Sequence, residues 1–359
     1  MQHQYNKEKR VLSMNIVRVG IIGAGAIARD VHIPSYLKKG NKVEIVAIAD
    51  VAVERAQEVA EKFAIPHVFG SYQEMLAEVE LDAVSVCVPN KFHAEAAIAA
   101  LEAGCHVLCE KPPAMTVEEA ELMVKAAKDA GKILTYGFHY RYTPEVEIAK
   151  SFIDADEMGD IYSARVHAIR RRGIPGWGVF TNKELQGGGP LIDIGVHMLD
   201  TALYLMGYPE PEVVLGRTHR QIGTRKGVGL LGDWDYENYT VEDMAVGMVT
   251  FKNGATLTLE AAFAANVEKD ETMQVSLMGD QGGADIFPLK IFQEKHNTLI
   301  DITPVYPPKL DGHQQEISQF VESCLNGTQP LSTPEQGLII QKIVNAIYES
   351  AETGKAIAF

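Results

Sequence analysis

VRVGIIGAGAIARDVHIP, residues 17–34, is the segment from which the architecture of this chain can be worked out. Its apolar run, Val19 to Ile22, breaks into Gly23-Ala24-Gly25-Ala26-Ile27-Ala28, which predicts a strand, a tight turn and a helix. Gly23 permits the turn, Gly25 lets the backbone approach a pyrophosphate, and Ala28 lets the helix pack on the strand. Free N–H groups and the dipole at the helix N-terminus favour such an anion. The segment therefore predicts a dinucleotide site, with a purely structural turn as the alternative.

An acidic residue in the right place supports the dinucleotide interpretation. A second predicted strand, Val43–Ala49, ends at Asp50, where a carboxylate is expected to accept the ribose hydroxyls. That carboxylate would repel a 2′-phosphate, and Val51 supplies no compensating charge. The sequence therefore predicts NAD rather than NADP, unless Arg55 or Arg29 turns inward.

Length and composition limit the classes of protein. The chain has 359 residues, of which 46% are hydrophobic, with a net charge of -15; this is enough for two domains with full cores. The negative charge argues against nucleic acid or an anionic membrane as a partner. Residues 1–13 are polar and lack the apolar core of a signal peptide, so we predict a disordered extension there and a cytoplasmic protein.

The four cysteines do not indicate a metal site. Cys105 and Cys109 lack the further ligands that a zinc site requires. We predict buried thiols and no bound metal.

The first part of the chain predicts a parallel sheet covered by helices on both faces. Apolar strands alternate with amphipathic helices, as in doubly wound nucleotide-binding folds. One helix covers Ala94–Ala103, and another begins at Thr116 with a capping box to Glu119 and stops before Gly131. The predicted strands are Val17–Ile22, Val43–Ala49, His67–Phe69, Ala83–Val88, His106–Cys109 and Ile133–Tyr136.

The second part of the chain has a different pattern, in which apolar and polar residues alternate with a period of two. After a helix from Pro144 to about Asp154, it predicts a large, open and mostly antiparallel sheet, with a hairpin at Asn253-Gly254. The predicted strands are Ile161–Arg170, Glu212–Gln221, Glu242–Phe251, Ala255–Ala265 and Thr272–Met278, and the closing helices are Gln314–Leu325 and Pro334–Glu352.

The two faces of this sheet are predicted to differ. Leu257 and Leu259 fall on the face that packs on helices. Met244, Val246 and Met248 fall on a flat face that suits burial against another subunit. We therefore predict a homodimer or homotetramer formed through this sheet.

Three clusters of polar residues follow strand ends. Pro89-Asn90, with His93 one turn on, follows the fourth strand; Asn90 is either a helix cap, a cofactor contact or both. Lys111, in Glu110-Lys111-Pro112-Pro113, is held by a rigid turn, although a solvated surface charge is the alternative. In the third cluster, GGGPLIDIGVH at residues 187–197, Asp193 and His197 project from one helical face. Because no third metal ligand is evident, we favour acid–base chemistry for this pair.

Together with GFHYRY at residues 137–142, these motifs resemble the Gfo/Idh/MocA family of nicotinamide-dependent sugar and polyol oxidoreductases. The resemblance covers nearly the whole chain. It implies an N-terminal Rossmann domain, residues 14–137, and a C-terminal α+β domain for substrate binding and oligomerisation, residues 138–359. It also implies a catalytic triad of Lys111, Asp193 and His197.

The implied reaction is oxidation of a secondary hydroxyl of a sugar, cyclic polyol or sugar derivative. His197 would remove the hydroxyl proton, Lys111 would polarise the oxygen, and Asp193 would orient His197 or hold a neighbouring hydroxyl. The predicted cofactor contacts are Gly23, Ala24, Gly25, Ala26, Ile27, Asp50, Val88, Pro89, Asn90, His93, Glu110, Lys111 and His139. The predicted substrate contacts are Arg141, Arg172, Trp177, Asp193 and His197, whereas His32 is expected to serve helix packing.

Two other functions remain open from the sequence. One is an NAD-dependent glycoside hydrolase that oxidises its substrate transiently and regenerates its cofactor. The other is a cofactor-sensing regulator without catalysis, which the presence of all three catalytic residue types argues against. The identity of the substrate does not follow from the sequence, because hydroxyl contacts on loops decide it.

Overall fold

The computed structural model describes residues 16–359, so the extension predicted over residues 1–13 lies outside the described residues. Its first sheet has six parallel strands in the order β3-β2-β1-β4-β5-β6. The doubly wound prediction is confirmed; β4 ends two residues earlier than expected, and β6 begins one residue later. The strands are β1 Val17–Ile22, β2 Val43–Ala49, β3 His67–Phe69, β4 Ala83–Val86, β5 His106–Cys109 and β6 Leu134–Tyr136.

The strand order reverses direction between β1 and β4, which makes the carboxyl ends of these two strands the expected ligand site. The connecting helices begin and end where local signals indicate. Thr116 Oγ1 accepts the Glu119 N–H at 3.2 Å, the Glu119 carboxylate reaches back, and Gly131 ends the helix at a φ of +62°. The helices are α1 Ile33–Leu37, preceded by a π-helical turn Ala28–His32, α2 Val53–Phe63, α3 Tyr72–Glu78, α4 His93–Glu102 and α5 Val117–Ala130.

The second sheet has nine strands in the order β14-β13-β12-β11-β7-β10-β9-β8-β15. Among the described strand pairs of this second sheet, only β7 and β10 are parallel, so the mostly antiparallel prediction is confirmed. The strands are β7 Ile161–Arg170, β8 Pro211–His219, β9 Met244–Phe251, β10 Thr256–Ala262, β11 Glu271–Gly279, β12 Gly282–Ile286, β13 Lys290–Lys295, β14 Thr298–Ile302 and β15 Ile357–Ala358.

The hairpin predicted at Asn253-Gly254 joins β9 to β10, and Gly254 has the φ of +86° that such a turn requires. Leu257 and Leu259 of β10 are fully buried against helices, whereas Thr258 on the opposite face is exposed. Strands β12 to β14 were not predicted. They are short, and charged residues interrupt their apolar pattern.

The helices of the second half connect the two sheets. Ile317 and Phe320 of the helix Gly312–Asn326 share an apolar core with Val19 and Ile21 of β1. The last long helix packs against both α5 and β8. These helices are α6 Pro144–Asp154, α7 Lys183–Gln186, α8 Val196–Leu205, preceded by a π-helical turn Leu191–Gly195, α9 Gly312–Asn326 and α10 Pro334–Thr353. Within residues 16–359, no helix combines the length and apolar character needed to cross a membrane.

Candidate active site

The turn after β1 has the features that a pyrophosphate site needs. Gly23 has a φ of +99°, and a Cβ there would lie 2.4 Å from the Cys87 carbonyl oxygen, so only glycine fits. Gly25 differs, because no atom lies within 4 Å of the place where its Cβ would stand. This leaves an open cradle beside the first helical residues, Ala26 and Ile27, where backbone N–H groups can meet an anion. The residues present therefore fit a bound dinucleotide.

Asp50 adjoins this turn, and its side chain is only 7% exposed. One carboxylate oxygen accepts a hydrogen bond from the Ala24 N–H at 2.7 Å. The other accepts from the Ala52 N–H and from Arg55 Nη2, each at 2.8 Å. Burial opposes the charge, but these hydrogen bonds outweigh it and lower the pKa of Asp50. Asp50 is thus an ionised acceptor at neutral pH. Arg55 has turned toward it, whereas Arg29 pairs with Asp30.

The segment Val88-Pro89-Asn90 follows β4 beside the glycine turn. Val88 and Pro89 are half-buried. The Asn90 side-chain amide donates to the Gln186 carbonyl oxygen at 2.9 Å, so it joins the end of β4 to the loop that precedes the catalytic candidates Asp193 and His197.

His93 is 1% exposed. Its Nδ1 lies 2.7 Å from the Pro112 carbonyl oxygen, and its Nε2 lies 2.9 Å from the Val88 carbonyl oxygen. Burial lowers the pKa of this imidazole. Both ring nitrogens thus face backbone carbonyl oxygens, which gives His93 a structural role, and its contact with the cofactor stays a prediction.

Glu110 anchors the turn that carries Lys111. It is 8% exposed, and its carboxylate lies 2.8 Å from His32 Nε2. The other ring nitrogen of His32 lies 3.1 Å from Ser85 Oγ, which in turn lies 2.7 Å from the Tyr36 hydroxyl. Although burial opposes its charge, the hydrogen bond from His32 and the charges of His32 and Lys111 lower the pKa of Glu110 to about 2. The sequence suggested helix packing for His32 and missed this buried polar chain.

Lys111 and Asp193 form the centre of the candidate site. Lys111 Nζ donates to the Asp193 carboxylate and to its backbone carbonyl oxygen, both at 2.9 Å. The two side chains are 16% and 17% exposed, so the pair is open to a ligand on one side. The sequence predicts that Asp193 orients His197 or holds a neighbouring hydroxyl; in the structure the Asp193 carboxylate accepts a hydrogen bond from Lys111.

His197 is the second residue of α8, one turn beyond Asp193, and it is 9% exposed. Its Nδ1 is buried without a hydrogen-bond partner among the described residues. Burial, together with the nearby charge of Lys111, lowers the pKa of His197 well below 6.5. A neutral imidazole at this place can accept a proton.

A buried carboxylate that the sequence did not single out positions the helix carrying Asp193 and His197. Glu242 accepts the Gly189 N–H at 2.8 Å, and the Tyr348 hydroxyl donates to it at 2.9 Å. Any side chain at Gly188 would collide with Tyr348, and one at Gly189 would collide with the Glu242 backbone. The glycine run is therefore required by close packing against protein atoms. Burial raises the pKa of Glu242.

Two more histidines adjoin His197. The His139 ring meets the His197 ring edge-on, with centroids 4.9 Å apart, and stacks on the His313 ring at 3.6 Å. Burial, reinforced by His313, lowers the pKa of His139 to about 3. His139 was predicted to contact the cofactor. His313 was missed, since it lies far along the chain in a segment that shows no motif.

Comparison with known proteins assigns the chain to a family. Residues 17–138 match the model of an oxidoreductase family with an NAD-binding Rossmann fold, and residues 150–359 match the C-terminal alpha/beta domain of the same family. The chain belongs to the Gfo/Idh/MocA oxidoreductase family. The resemblance seen in the sequence, the predicted fold class and the predicted class of cofactor are thereby confirmed.

The names of several relatives of this Gfo/Idh/MocA protein describe enzymes that act on sugars. It is 43% identical over 349 residues to the D-glucoside 3-dehydrogenase of Escherichia coli (strain K12), covering 97% of this chain and 99% of that protein. It is 27% identical over 347 residues to D-xylose 1-dehydrogenase (NADP(+)) 2 of Haloferax volcanii, covering 94% and 98%. A solved complex of levoglucosan dehydrogenase with NADH and levoglucosan has a TM-score of 0.81 at 25% identity, covering 95% and 99%.

One residue predicted to bind substrate in this Gfo/Idh/MocA chain is held in its interior instead. Arg141 is fully buried, and its five N–H groups are used by the Asp200 carboxylate, the Leu331 carbonyl oxygen, the Gln336 side chain and the Tyr208 hydroxyl. No donor remains for a substrate. The prediction for Arg141 is wrong because its position in the short helical turn after β6 does not reveal which way the side chain points.

Arg172 and Trp177 lie beyond the end of β7. The Arg172 guanidinium donates to the Arg171 and Ala265 carbonyl oxygens at 2.6 and 2.8 Å, and it lines a cavity of about 490 Å³ together with Val228. Trp177 is 53% exposed. Among the described residues, its one aromatic contact is with Phe180, whose ring centroid lies 6.5 Å away. Neither side chain joins the hydrogen bonds around Lys111, so their contact with substrate stays a prediction.

Proposed function

We propose that this protein is an NAD-dependent dehydrogenase that oxidises a secondary hydroxyl of a sugar, glycoside or related polyol. The observation that carries the proposal is the Lys111–Asp193 pair, joined at 2.9 Å beside the neutral ring of His197. Lys111 follows β5, in the same parallel sheet as the open cradle at Gly25. A cofactor and an acid–base group can therefore meet at one edge of the sheet.

His197 is proposed as the base. Oxidation of an alcohol requires loss of the hydroxyl proton while a hydride leaves the same carbon, and NAD supplies the acceptor for that hydride when bound. The depressed pKa of His197 keeps its imidazole unprotonated, and its burial keeps bulk water from competing with the substrate hydroxyl.

Lys111 is proposed to stabilise the reacting oxygen. Its ammonium group carries three N–H donors, of which the Asp193 carboxylate and carbonyl account for two. The remaining donor can meet the oxygen on which negative charge develops, an interaction that is strongest in a site shielded from water. Asp193 is proposed to aim the ammonium group and to accept from a neighbouring substrate hydroxyl.

Asp50 supports the choice of NAD over NADP. Its ionised carboxylate stands where the adenosine ribose is expected, and it would repel a 2′-phosphate. Arg55 donates to Asp50 at 2.8 Å and is the only cation among the described hydrogen-bond partners of that carboxylate. It is therefore the one group there whose charge would favour a 2′-phosphate and so NADP. Arg55→Ala should therefore leave NADH affinity within a few-fold, and tighter binding of NADPH than NADH by the unaltered protein would overturn the assignment.

The second sheet is proposed to form the subunit contact. Leu215 of β8 and Met248 of β9 are register partners, and they remain 52% and 44% exposed. Exposed apolar pairs on a flat sheet suit burial against another copy. Met248→Glu should lower the mass observed in sedimentation, whereas a monomeric unaltered protein would contradict this contact.

The test of the proposed reaction is NADH formation over a panel of glucosides, aldoses, inositols and anhydrosugars. A dehydrogenase forms one NADH per oxidised product, whereas a hydrolase that recycles its cofactor forms product without accumulating NADH. His197→Gln should lower kcat by at least about 100-fold, and His67→Gln, which alters an exposed histidine of β3, should leave kcat unchanged. Turnover by His197→Gln at the unaltered rate would overturn the proposal.

A further inference from the structure

The proposed base must release the proton that it accepts, and this inference rests on the proposed function. His197 is 9% exposed, and its buried Nδ1 has no hydrogen-bond partner among the described residues. Neither Lys111 nor Asp193 is suited to receive the proton, since the ammonium group is already charged and the carboxylate is paired with it. The proton therefore needs another way to solvent.

A row of imidazole rings leads outward from His197. The His139 ring lies edge-on to it, with centroids 4.9 Å apart. The His313 ring then stacks on His139, with centroids 3.6 Å apart and planes 14° from parallel. The exposed fraction rises to 32% at His313, and its Nδ1 lies 3.9 Å from the carboxylate of Asp311, which is 60% exposed. The row thus begins at a buried ring and ends at a solvated acid.

The backbone holds the outer ring in place. His313 occupies the first turn of α9, directly after Gly312. A Cβ at Gly312 would lie 2.5 Å from the His139 carbonyl oxygen. The absence of a side chain at this position is therefore what allows the start of α9 to approach His139 closely enough for the rings to stack.

The charges around the row favour passage of one proton at a time. The Glu110 carboxylate attracts positive charge toward both His139 and His313, whereas the Lys111 ammonium group repels it. His32 adds to the repulsion at His313, and Arg170 adds to it at His197. Two adjacent imidazolium rings would also repel each other. A proton can therefore cross the row but is not retained in it.

We propose that the proton taken by His197 leaves the site past His139 and His313, and that His313 delivers it to solvent. The substrate O–H bond breaks, its proton passes to a ring nitrogen of His197, and the hydride from the same carbon reduces NAD⁺. The imidazolium then returns to imidazole as its proton moves along the ring edges and bound water to His313, and from there to a water or buffer molecule near Asp311. Face-to-face stacking offers no direct hydrogen bond between the rings, so water completes the path.

The test compares His313→Asn and His313→Gln with the unaltered protein in NADH-forming turnover. Loss of the outer ring should lower kcat about tenfold or more, with KM and NADH affinity unchanged, and should raise the solvent deuterium isotope effect on kcat. Added imidazole should restore kcat in both variants. His67→Asn is the matched control, and it should show no such rescue.

The outcomes separate the two proposals. If kcat, its pH profile and its isotope effect are unaltered in both His313 variants, the proton path is wrong while the dehydrogenase assignment stands. A loss of kcat that is accompanied by raised KM and is not restored by imidazole also overturns the path, because it indicates a structural role. If the unaltered protein forms no NADH from any sugar of the panel, the proposed function itself fails.

Discussion

The glycine turn offers a matched pair of substitutions with opposite expected effects. Gly23→Ala and Gly25→Ala add the same methyl group two residues apart. At Gly23 the added Cβ meets the Cys87 carbonyl oxygen at 2.4 Å, on a backbone with a φ of +99°. At Gly25 it meets no protein atom within 4 Å. The first change should therefore damage the fold, and the second should damage only the cradle.

The magnitudes follow from the two environments. A side chain in a left-handed conformation costs about 1–2 kcal/mol, and relieving the overlap adds about 1–3 kcal/mol. Gly23→Ala should thus lower the free energy of unfolding by about 2–5 kcal/mol. Gly25→Ala should change it by less than about 0.5 kcal/mol. Loss of one charge-assisted hydrogen bond to the pyrophosphate, about 1.5–3 kcal/mol, should weaken NADH binding by Gly25→Ala roughly 10- to 100-fold.

Unfolding in denaturant, monitored by circular dichroism, gives the free energy of unfolding. Titration with NADH gives the affinity for the cofactor. Gly25→Ala should retain the unaltered unfolding curve and lose cofactor affinity. If it binds NADH as tightly as the unaltered protein, the cradle at Gly25 does not hold the pyrophosphate. If both variants are destabilised equally, the geometric distinction between the two glycines is wrong.

Three further predictions concern residues that support the site. Arg141→Met should lower the free energy of unfolding by about 3–5 kcal/mol in denaturant titration, because it leaves the Asp200 carboxylate buried and unpaired; a smaller loss than for an exposed ion pair would contradict this. Glu242→Gln should lower kcat about tenfold or more with NADH affinity unchanged, because its hydrogen bonds hold the entry to the helix carrying Asp193 and His197, and Tyr348→Phe should have a smaller effect of the same kind. Glu110 has a pKa of about 2, below its usual 4.5, so it contributes about 3 kcal/mol of stability above pH 4.5 that is lost as pH falls toward 2. Glu110→Gln should flatten this part of the dependence of unfolding free energy on pH, and an unchanged dependence would refute the lowered pKa.

The first sheet follows from the sequence because its signals are local. Each strand is a short apolar run, Gly23 and Asp50 stand at fixed distances from strand ends, and Thr116 begins its helix with a capping box. Such features involve residues close together in the chain, so pattern and spacing are sufficient. Strands β12 to β14 lack them, since Lys290 and neighbouring charged residues obscure the alternation.

The site was predictable only as far as its motifs reach. Lys111 and Asp193 were identified by their motifs and meet in the structure at 2.9 Å. Arg141 was misjudged, because its partner Asp200 lies 59 residues away and nothing local indicates their pairing. Glu242 and His313 were missed for the same reason: each reaches residues of the site through a tertiary contact, outside any recognisable motif.

The central claim is that His197 removes the proton of a sugar hydroxyl while Lys111, aimed by Asp193, stabilises the reacting oxygen as the hydride of the same carbon leaves for bound NAD⁺. The most direct measurement is the single-turnover rate of NADH formation by Lys111→Met, with NAD⁺ and the best substrate of the panel at saturation. The rate should fall by about 100- to 1000-fold while NADH affinity stays unchanged, and Lys125→Met, which alters an exposed lysine of α5 paired with Asp129, should keep the unaltered rate. If Lys111→Met forms NADH as fast as the unaltered protein, the account is contradicted.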